Sequence, residues 1–269
     1  MTVYGAVSQL PGPTGQHLAD LPGRGANADL LMRRLLVHDD NDLTAAQLDA
    51  VRRACRNTAA LAAGIRTRRR AAVTVLASRA HTTVLAVTIT PQWRFVVGHG
   101  ENSASETSLT LSPTYGTPLL PGSALKGLTV AEARAEKVGD GRLRELFGSP
   151  RPGEITSTDR RGSVTFFDAL PLDTPELVVD VLTPHAKPYY DQGNRNGVPA
   201  SPPAEYHNPV PVRFLAVERT RFEALLVGPA TDVSDAAGLL VRGLDDLGIG
   251  GKTAAGYGYC TATIQEMIA

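Results

Sequence analysis

The sequence predicts an α+β fold: a ferredoxin-like or RRM-like sheet with insertions and an N-terminal helical extension. Three observations predict it. Apolar residues recur at helical spacing before residue 79. After it, strand-like and helix-like stretches follow in the order strand, helix, two strands, helix, strand. Glycines and prolines cluster between those stretches, where a chain must turn. The 269 residues suffice for one elaborated domain or two small ones with a substantial core. We divide them into an arm and helical extension, 1–79, and a core, 80–269, with a long inserted loop at about 185–209.

The elements follow in order. Residues 8–28 are rich in Gly, Pro and small polar residues and read as an irregular arm. Leu30, Leu31, Leu35 and Leu36 predict a short helix from Asn27, with Arg33 and Arg34 facing out. Thr44 is placed to cap a longer helix in which Leu48, Val51, Cys55, Ala59 and Ala62 share a face. Arg66, Arg68, Arg69 and Arg70 form the strongest basic cluster. They read as a solvated helix end, or as a surface for RNA or an acidic partner.

Thr83–Thr90 and Trp93–Val97 read as two strands flanking Pro91-Gln92, like a hairpin. A polar loop from Gly98 to Ser108 and a short strand, Leu109–Leu111, come next. A helix is expected from about Ser123 to Phe147, then a Gly/Pro loop from Gly148 to Gly162. Strands follow at Val164–Phe167 and Leu177–Leu182. The segment from His185 to Pro209 has several prolines, Tyr189, Tyr190, Arg195 and Tyr206, and no apolar period. A loop that long in a compact domain is functional or disordered. Strands at Val210–Val217 and Phe222–Val227, a helix at Val233–Leu247 and a last strand at Tyr257–Ile264 close the chain.

Composition excludes more than it assigns. Lys+Arg and Asp+Glu both number 27, so the net charge is zero, which argues against a solitary high-affinity RNA binder. It leaves open one subunit of an assembly whose partners supply charge. Two isolated cysteines, Cys55 and Cys260, make neither a disulfide framework nor a Cys-rich zinc site. Met1 to Pro11 lacks a basic start before an apolar stretch, and no run approaches the roughly 20 apolar residues of a membrane span. The expectation is a cytoplasmic protein with no membrane partner, no cofactor and no bound metal.

Chemistry concentrates in two glycine motifs. One is Pro121-Gly122-Ser123-Ala124-Leu125-Lys126-Gly127; the other runs from Gly248 through Gly250, Gly251 and Lys252 to Gly258. Only four lysines occur in the chain, and two of them stand in these motifs. Glycine exposes backbone N–H groups, a helix start adds partial positive charge, and an ammonium completes a site for phosphate oxygens. The plain alternative is a helix cap and a tight turn with solvated lysines. A nucleotide-binding P-loop at Gly251-Lys252-Thr253 fails, because Asp246 stands where its first glycine belongs. A penicillin-recognising acyl-enzyme would use Ser123-Ala124-Leu125-Lys126 as S-x-x-K and Lys252-Thr253-Ala254 in place of K-T-G, but no S-D-N element lies between them.

Five segments in order carry a resemblance. They are Phe95-Val96-Val97-Gly98, the Pro121–Gly127 motif, Leu146-Phe147-Gly148, Gly162–Ala169 and the Gly248–Gly258 motif. Together they resemble the RAMP superfamily of CRISPR effector proteins, over roughly residues 84–264. Asp180–His185, Tyr189-Tyr190 and Pro209–Leu215 look most like the sixth RAMP subunit of type III-B complexes. The resemblance implies an RRM-like sheet, a place at the end of a filament of backbone subunits, and binding near the 3′ part of the guide RNA. It implies as partners the guide (crRNA), the target RNA by extension, and other RAMP subunits.

By the same resemblance Ser123, Lys126, Gly127, Gly248, Gly250, Gly251 and Lys252 are guide-backbone contacts. Cleavage in such complexes belongs to subunits with an aspartate in the loop after the first strand. The loop here has His99, Glu101 and Glu106 but no Asp, so a catalytic role is not expected, with an endoribonuclease as the alternative. His99 alone lacks an acid–base partner and is assigned to RNA contact. Arg195, with Tyr189 and Tyr190, is assigned to RNA or a neighbouring subunit. Asp180, His185 and His207 give no reliable metal geometry.

Overall fold

The structure is a computed structural model and describes residues 26–35, 45–100, 108–149, 159–183, 209 and 211–267. Helix α1, Ala28–Leu30, continues as a π-turn through Leu31–Leu35. The Asn27 side chain caps it, accepting the N–H groups of Asp29 and Leu30 at 2.9 and 3.2 Å. Helices α2, Ala45–Arg56, and α3, Ala59–Ala80, follow.

The periodicity across residues 48–62 thus spans two helices, with the basic cluster lying within the second. The break falls at Asn57-Thr58, where the Thr58 hydroxyl donates to the Cys55 carbonyl at 2.7 Å. Beyond it, alanines and arginines carry α3 on for 22 residues, as their helix propensity favours.

The remaining elements are β1 (Thr83–Pro91), β2 (Arg94–Phe95), α4 (Gly122–Ala135), α5 (Asp140–Phe147), β3 (Thr165–Phe166) and β4 (Leu170–Pro171). Then come β5 (Glu176–Leu182), β6 (Val212–Glu218), β7 (Phe222–Gly228), α6 (Ala230–Asp246) and β8 (Cys260–Met267). The single helix expected over 123–147 is therefore two. Lys137 takes a left-handed φ of 59° and Gly139 precedes α5, a combination that ends one helix and allows a new direction.

The main sheet has the order β3-β7-β1-β8, with β4 also on β7. Central β1 is antiparallel to both neighbours, with Val87 opposite Ala224 and Ile264. With α4 after β1 and α6 after β7, this is the ferredoxin-like order the sequence predicts. A second antiparallel sheet, β2-β6-β5, was not anticipated. The hairpin expected around Pro91-Gln92 does not form: β1 stays in the main sheet while β2 pairs Arg94 with Glu218. The turn is held from outside. Gln92 N–H donates to the Tyr259 carbonyl at 2.9 Å, and Gly258 N–H to the Arg94 carbonyl at 2.8 Å.

Alternation sorts the faces. Leu85, Val87, Ile89, Phe222, Ala224 and Leu226 meet Leu125 of α4 and Val233, Ala236, Leu240 and Leu244 of α6 in the main core. The opposite face, Val84, Ala86, Leu225 and Val227, meets Val73 and Ala77 of α3. Leu177, Leu215 and Val217 turn the inner face of the second sheet into the main core, which also takes in Leu48, Val51 and Cys55 of α2. Truncating a buried member such as Phe222 to alanine should cost about 3–5 kcal/mol. The outer face of the second sheet gathers Phe214, Ala216, Val178 and Leu182 with Val96 and Tyr257. That face carries the candidate site.

Candidate nucleic-acid interface

The C-terminal glycine motif is a folded loop seated on β2 and the residues after it. Gly248, at φ 72°, ends α6 by donating to the Gly243 carbonyl at 3.1 Å. Ile249 N–H bonds the Gly258 carbonyl and Gly251 N–H bonds the Val96 carbonyl, both at 2.8 Å. A Cβ on Gly250 would run into the Val96 oxygen, and one on Gly258 into the Ile249 oxygen. Both have positive φ, so only glycine fits there. Gly251 has room for a side chain, its nearest neighbour for an added Cβ being His99 at 3.6 Å. Lys252 itself is left-handed, φ 63°, and opens a 3-10 turn, Thr253–Ala255.

This seating brings Lys252 and His99 together, 153 positions apart in sequence. The Lys252 ammonium lies 5.9 Å from the centroid of the Phe214 ring, and burial lowers its pKa. His99 stands edge-on to the same ring at 5.4 Å. Burial, and then the Lys252 charge, lower the His99 pKa from its ordinary value and favour the neutral imidazole. Its Nδ1 is buried, with no hydrogen-bond partner among the described residues.

The rings continue: Phe214 to Tyr257 at 5.9 Å, and Tyr257 to Trp93 at 4.8 Å. The Tyr257 hydroxyl donates to Asp180 at 2.5 Å, and burial with that bond pushes its pKa up to about 12. Arg94 spans Asp180 at 2.7 Å and Glu218 at 2.8 Å while its guanidinium sits 5.1 Å from the Trp93 ring centroid. Cation, imidazole and glycine backbone adjoin a row of rings that is buried at Phe214 and Tyr257 and emerges at Trp93, a combination of charge and exposed aromatic that single-stranded nucleic acid uses.

The first glycine motif lies elsewhere. At the start of α4 the Gly122 N–H is already bonded to the Asp168 carboxylate at 2.8 Å. A phosphate there would have to displace that carboxylate. Ser123 is exposed and Gly127 faces open space on the helix. Lys126 lines a groove of about 370 Å³ between α4 and α5, with Arg134, Arg144, Asp140, Leu143 and Phe147 among its walls. No residue of the 248–258 loop lines it, so the two lysines of the glycine motifs serve separate surfaces.

Arg195, Tyr189, Tyr190, His185, His207, Glu101 and Glu106 lie outside the described residues. The Asp180 carboxylate is engaged by Tyr257, Arg94 and the Val181 N–H. Among the described residues no group of three or more His, Cys, Asp or Glu is placed to hold a metal ion, and no helix is long and apolar enough to cross a membrane.

The basic cluster of α3 is largely used within the chain. Arg66 donates to the Pro171 carbonyl at 2.8 Å, Arg69 stacks over Phe167 at 5.5 Å, and Arg70 pairs with buried Glu223; only Arg68 is exposed. Sequence reasoning missed Trp93, Arg94, Asp168, Phe214 and Tyr257 as parts or supports of these surfaces. The available signals were the chain's single tryptophan beside a turn, and a tyrosine inside the glycine motif.

The CRISPR system Cmr subunit Cmr6 of Pyrococcus furiosus is 33% identical over 222 residues, covering 62% of this chain and 64% of that protein. The chain thus spans just under two thirds of that relative's length. A chain from the cryo-EM structure of the type III-B Cmr-β complex bound to cognate target RNA is similar over 99% of this chain and 93% of its own. Its TM-score of 0.58 at 20% identity is a likeness of fold. The crystal structure of Cmr6 from Pyrococcus furiosus matches 68% of this chain and 99% of its own, at 28% identity and a TM-score of 0.39. A family model described as the RAMP superfamily matches residues 86–261, from within β1 through the glycine loop to the start of β8, and the chain belongs to that superfamily.

Proposed function

We propose that this chain is a non-catalytic RNA-binding RAMP subunit of a type III-B CRISPR interference complex. It holds the guide RNA by its backbone and caps the filament of backbone subunits near the guide 3′ end. The 33% identity to Cmr6 supports the assembly. The observation that carries the RNA contact is the glycine loop docked on Val96, which fixes Lys252 beside His99 and Phe214. Lys126 supplies a second cation from the groove between α4 and α5. Guide sequence is read by base pairing, so the protein needs only backbone contacts. With zero net charge the chain alone binds weakly, and the assembled complex is the relevant state. The loop from Gly98 to Ser108 has no aspartate, and His99 is assigned to binding rather than to proton transfer.

The test is the salt dependence of guide binding by the reconstituted complex. Removing one phosphate-neutralising ammonium, in Lys126→Ala or Lys252→Ala, should lower the magnitude of the log-affinity against log-salt slope by about 0.7. Folding stability should change by no more than about 0.5 kcal/mol. An unchanged slope in both single variants and in the double variant would sink the phosphate assignment.

A further inference from the structure

We infer that Trp93 is a stacking platform for an unpaired base of single-stranded RNA, adjoining the glycine loop whose Lys252 takes the phosphate. The inference rests on the RNA-binding reading above and adds a base contact to it. Trp93 is the only tryptophan of the chain, and it belongs to none of the hydrophobic clusters. The residue is 45% exposed although core positions stand on either side of its turn. Folding therefore does not require an indole here.

The indole is held in place before any ligand arrives. Its turn is pinned by the Gln92 and Gly258 N–H bonds, and by the Gln92 side chain donating to Asp245 at 2.8 Å. The Tyr257 ring at 4.8 Å and the Arg94 guanidinium at 5.1 Å support the indole. Both supports are fixed in turn, Tyr257 by Asp180 and Arg94 by Asp180 and Glu218. A platform immobilised in advance loses little conformational freedom on binding. The ring row from Trp93 through Tyr257 and Phe214 ends at Lys252 and His99. The row thus carries an exposed π-surface at one end and an ammonium at the other, suited to a base and a phosphate of one strand, with the buried rings of Tyr257 and Phe214 between them. Stacking of this kind tolerates any base, as a subunit serving many guides requires.

A single tryptophan makes the test direct. The 269-residue chain is titrated at low salt with an oligouridylate and with an abasic oligonucleotide of the same backbone, following indole emission. Labelled-oligonucleotide anisotropy gives the affinities of the variants. The base-bearing strand should quench Trp93 and bind roughly tenfold more tightly than the abasic strand. Trp93→Ala should bring the two affinities together by weakening the base-bearing strand alone, and Trp93→Phe should keep part of the difference.

Equal affinities with unchanged emission overturn the platform and leave the backbone contact standing. An emission change produced by partner subunits without RNA also overturns it, assigning Trp93 to a protein interface. If neither strand binds at low salt the platform is overturned, while the assembled-complex measurement decides the guide reading separately.

Discussion

The Arg94 guanidinium on β2 reaches the Asp180 carboxylate on β5 at 2.7 Å, bridging the outer face of the second sheet across β6. Glu218 of β6 takes the other edge of the guanidinium at 2.8 Å. The same Asp180 accepts the Tyr257 hydroxyl, so one arginine braces the sheet and the glycine loop together. Arg94→Ala should leave two partly buried carboxylates facing each other. It should cost about 2–3 kcal/mol in chemical denaturation, and Arg94→Lys should recover part of that.

Acid should act through the same carboxylates. Hydrogen bonding to Arg94 is the main cause holding Glu218 below its ordinary 4.5. Burial pushes Asp180 upward, but Tyr257 and Arg94 together outweigh it and hold it below 3.8. Groups depressed in the folded state stabilise it fully above their unfolded pKa values and lose that contribution as pH falls through the folded ones. Urea unfolding from about pH 7 to about pH 3 should show stability falling below roughly pH 5 in the wild type. The fall should be shallower in Arg94→Ala; equal profiles would refute the assignment.

Two glycines should respond with opposite sign. Gly250→Ala forces a side chain onto a φ of +90° and against the Val96 carbonyl, and should cost about 1–3 kcal/mol while weakening RNA binding. Gly127→Ala enters open space within α4 and should raise stability by about 0.5–1 kcal/mol. If Gly127 also admits close approach of the guide backbone, the same variant should weaken guide binding despite being more stable.

Lys252 should be detectable from His99. Removing the ammonium in Lys252→Ala takes away the second cause of the low imidazole pKa and leaves burial, the first. NMR titration should show the His99 pKa rising but still below 6.5. An unchanged value would mean that the two groups are not neighbours in solution.

The arginines of α3 should separate by role. Arg70→Ala strips the partner from Glu223, which is 3% exposed, and should cost about 2–4 kcal/mol. Arg68→Ala should be neutral within about 0.5 kcal/mol. Neither should alter the salt slope of guide binding, and a drop in slope for Arg68→Ala would assign that exposed residue to RNA.

Strands, helices and turns were legible where the signal is local. Apolar and β-branched runs marked β1, β5, β6 and β7, the leucine spacing of residues 239–247 marked α6, and the glycines of residues 248–258 marked an exposed, turning backbone. Those are properties of adjacent residues, set by side-chain period and by allowed φ. Which strands would pair was not legible. Pro91-Gln92 looks like a hairpin turn, yet the preference for pairing β2 with β6 depends on Glu218, 124 positions from Arg94, and on the Tyr259 carbonyl receiving Gln92. The two glycine motifs were legible as anion-suited segments, but not that Asp168 would occupy the N–H of one and that the other would dock on Val96. Nor was the row of rings from Trp93 to Phe214. Alternation tells a residue which face it occupies, whereas only the packed chain decides which distant residues share that face.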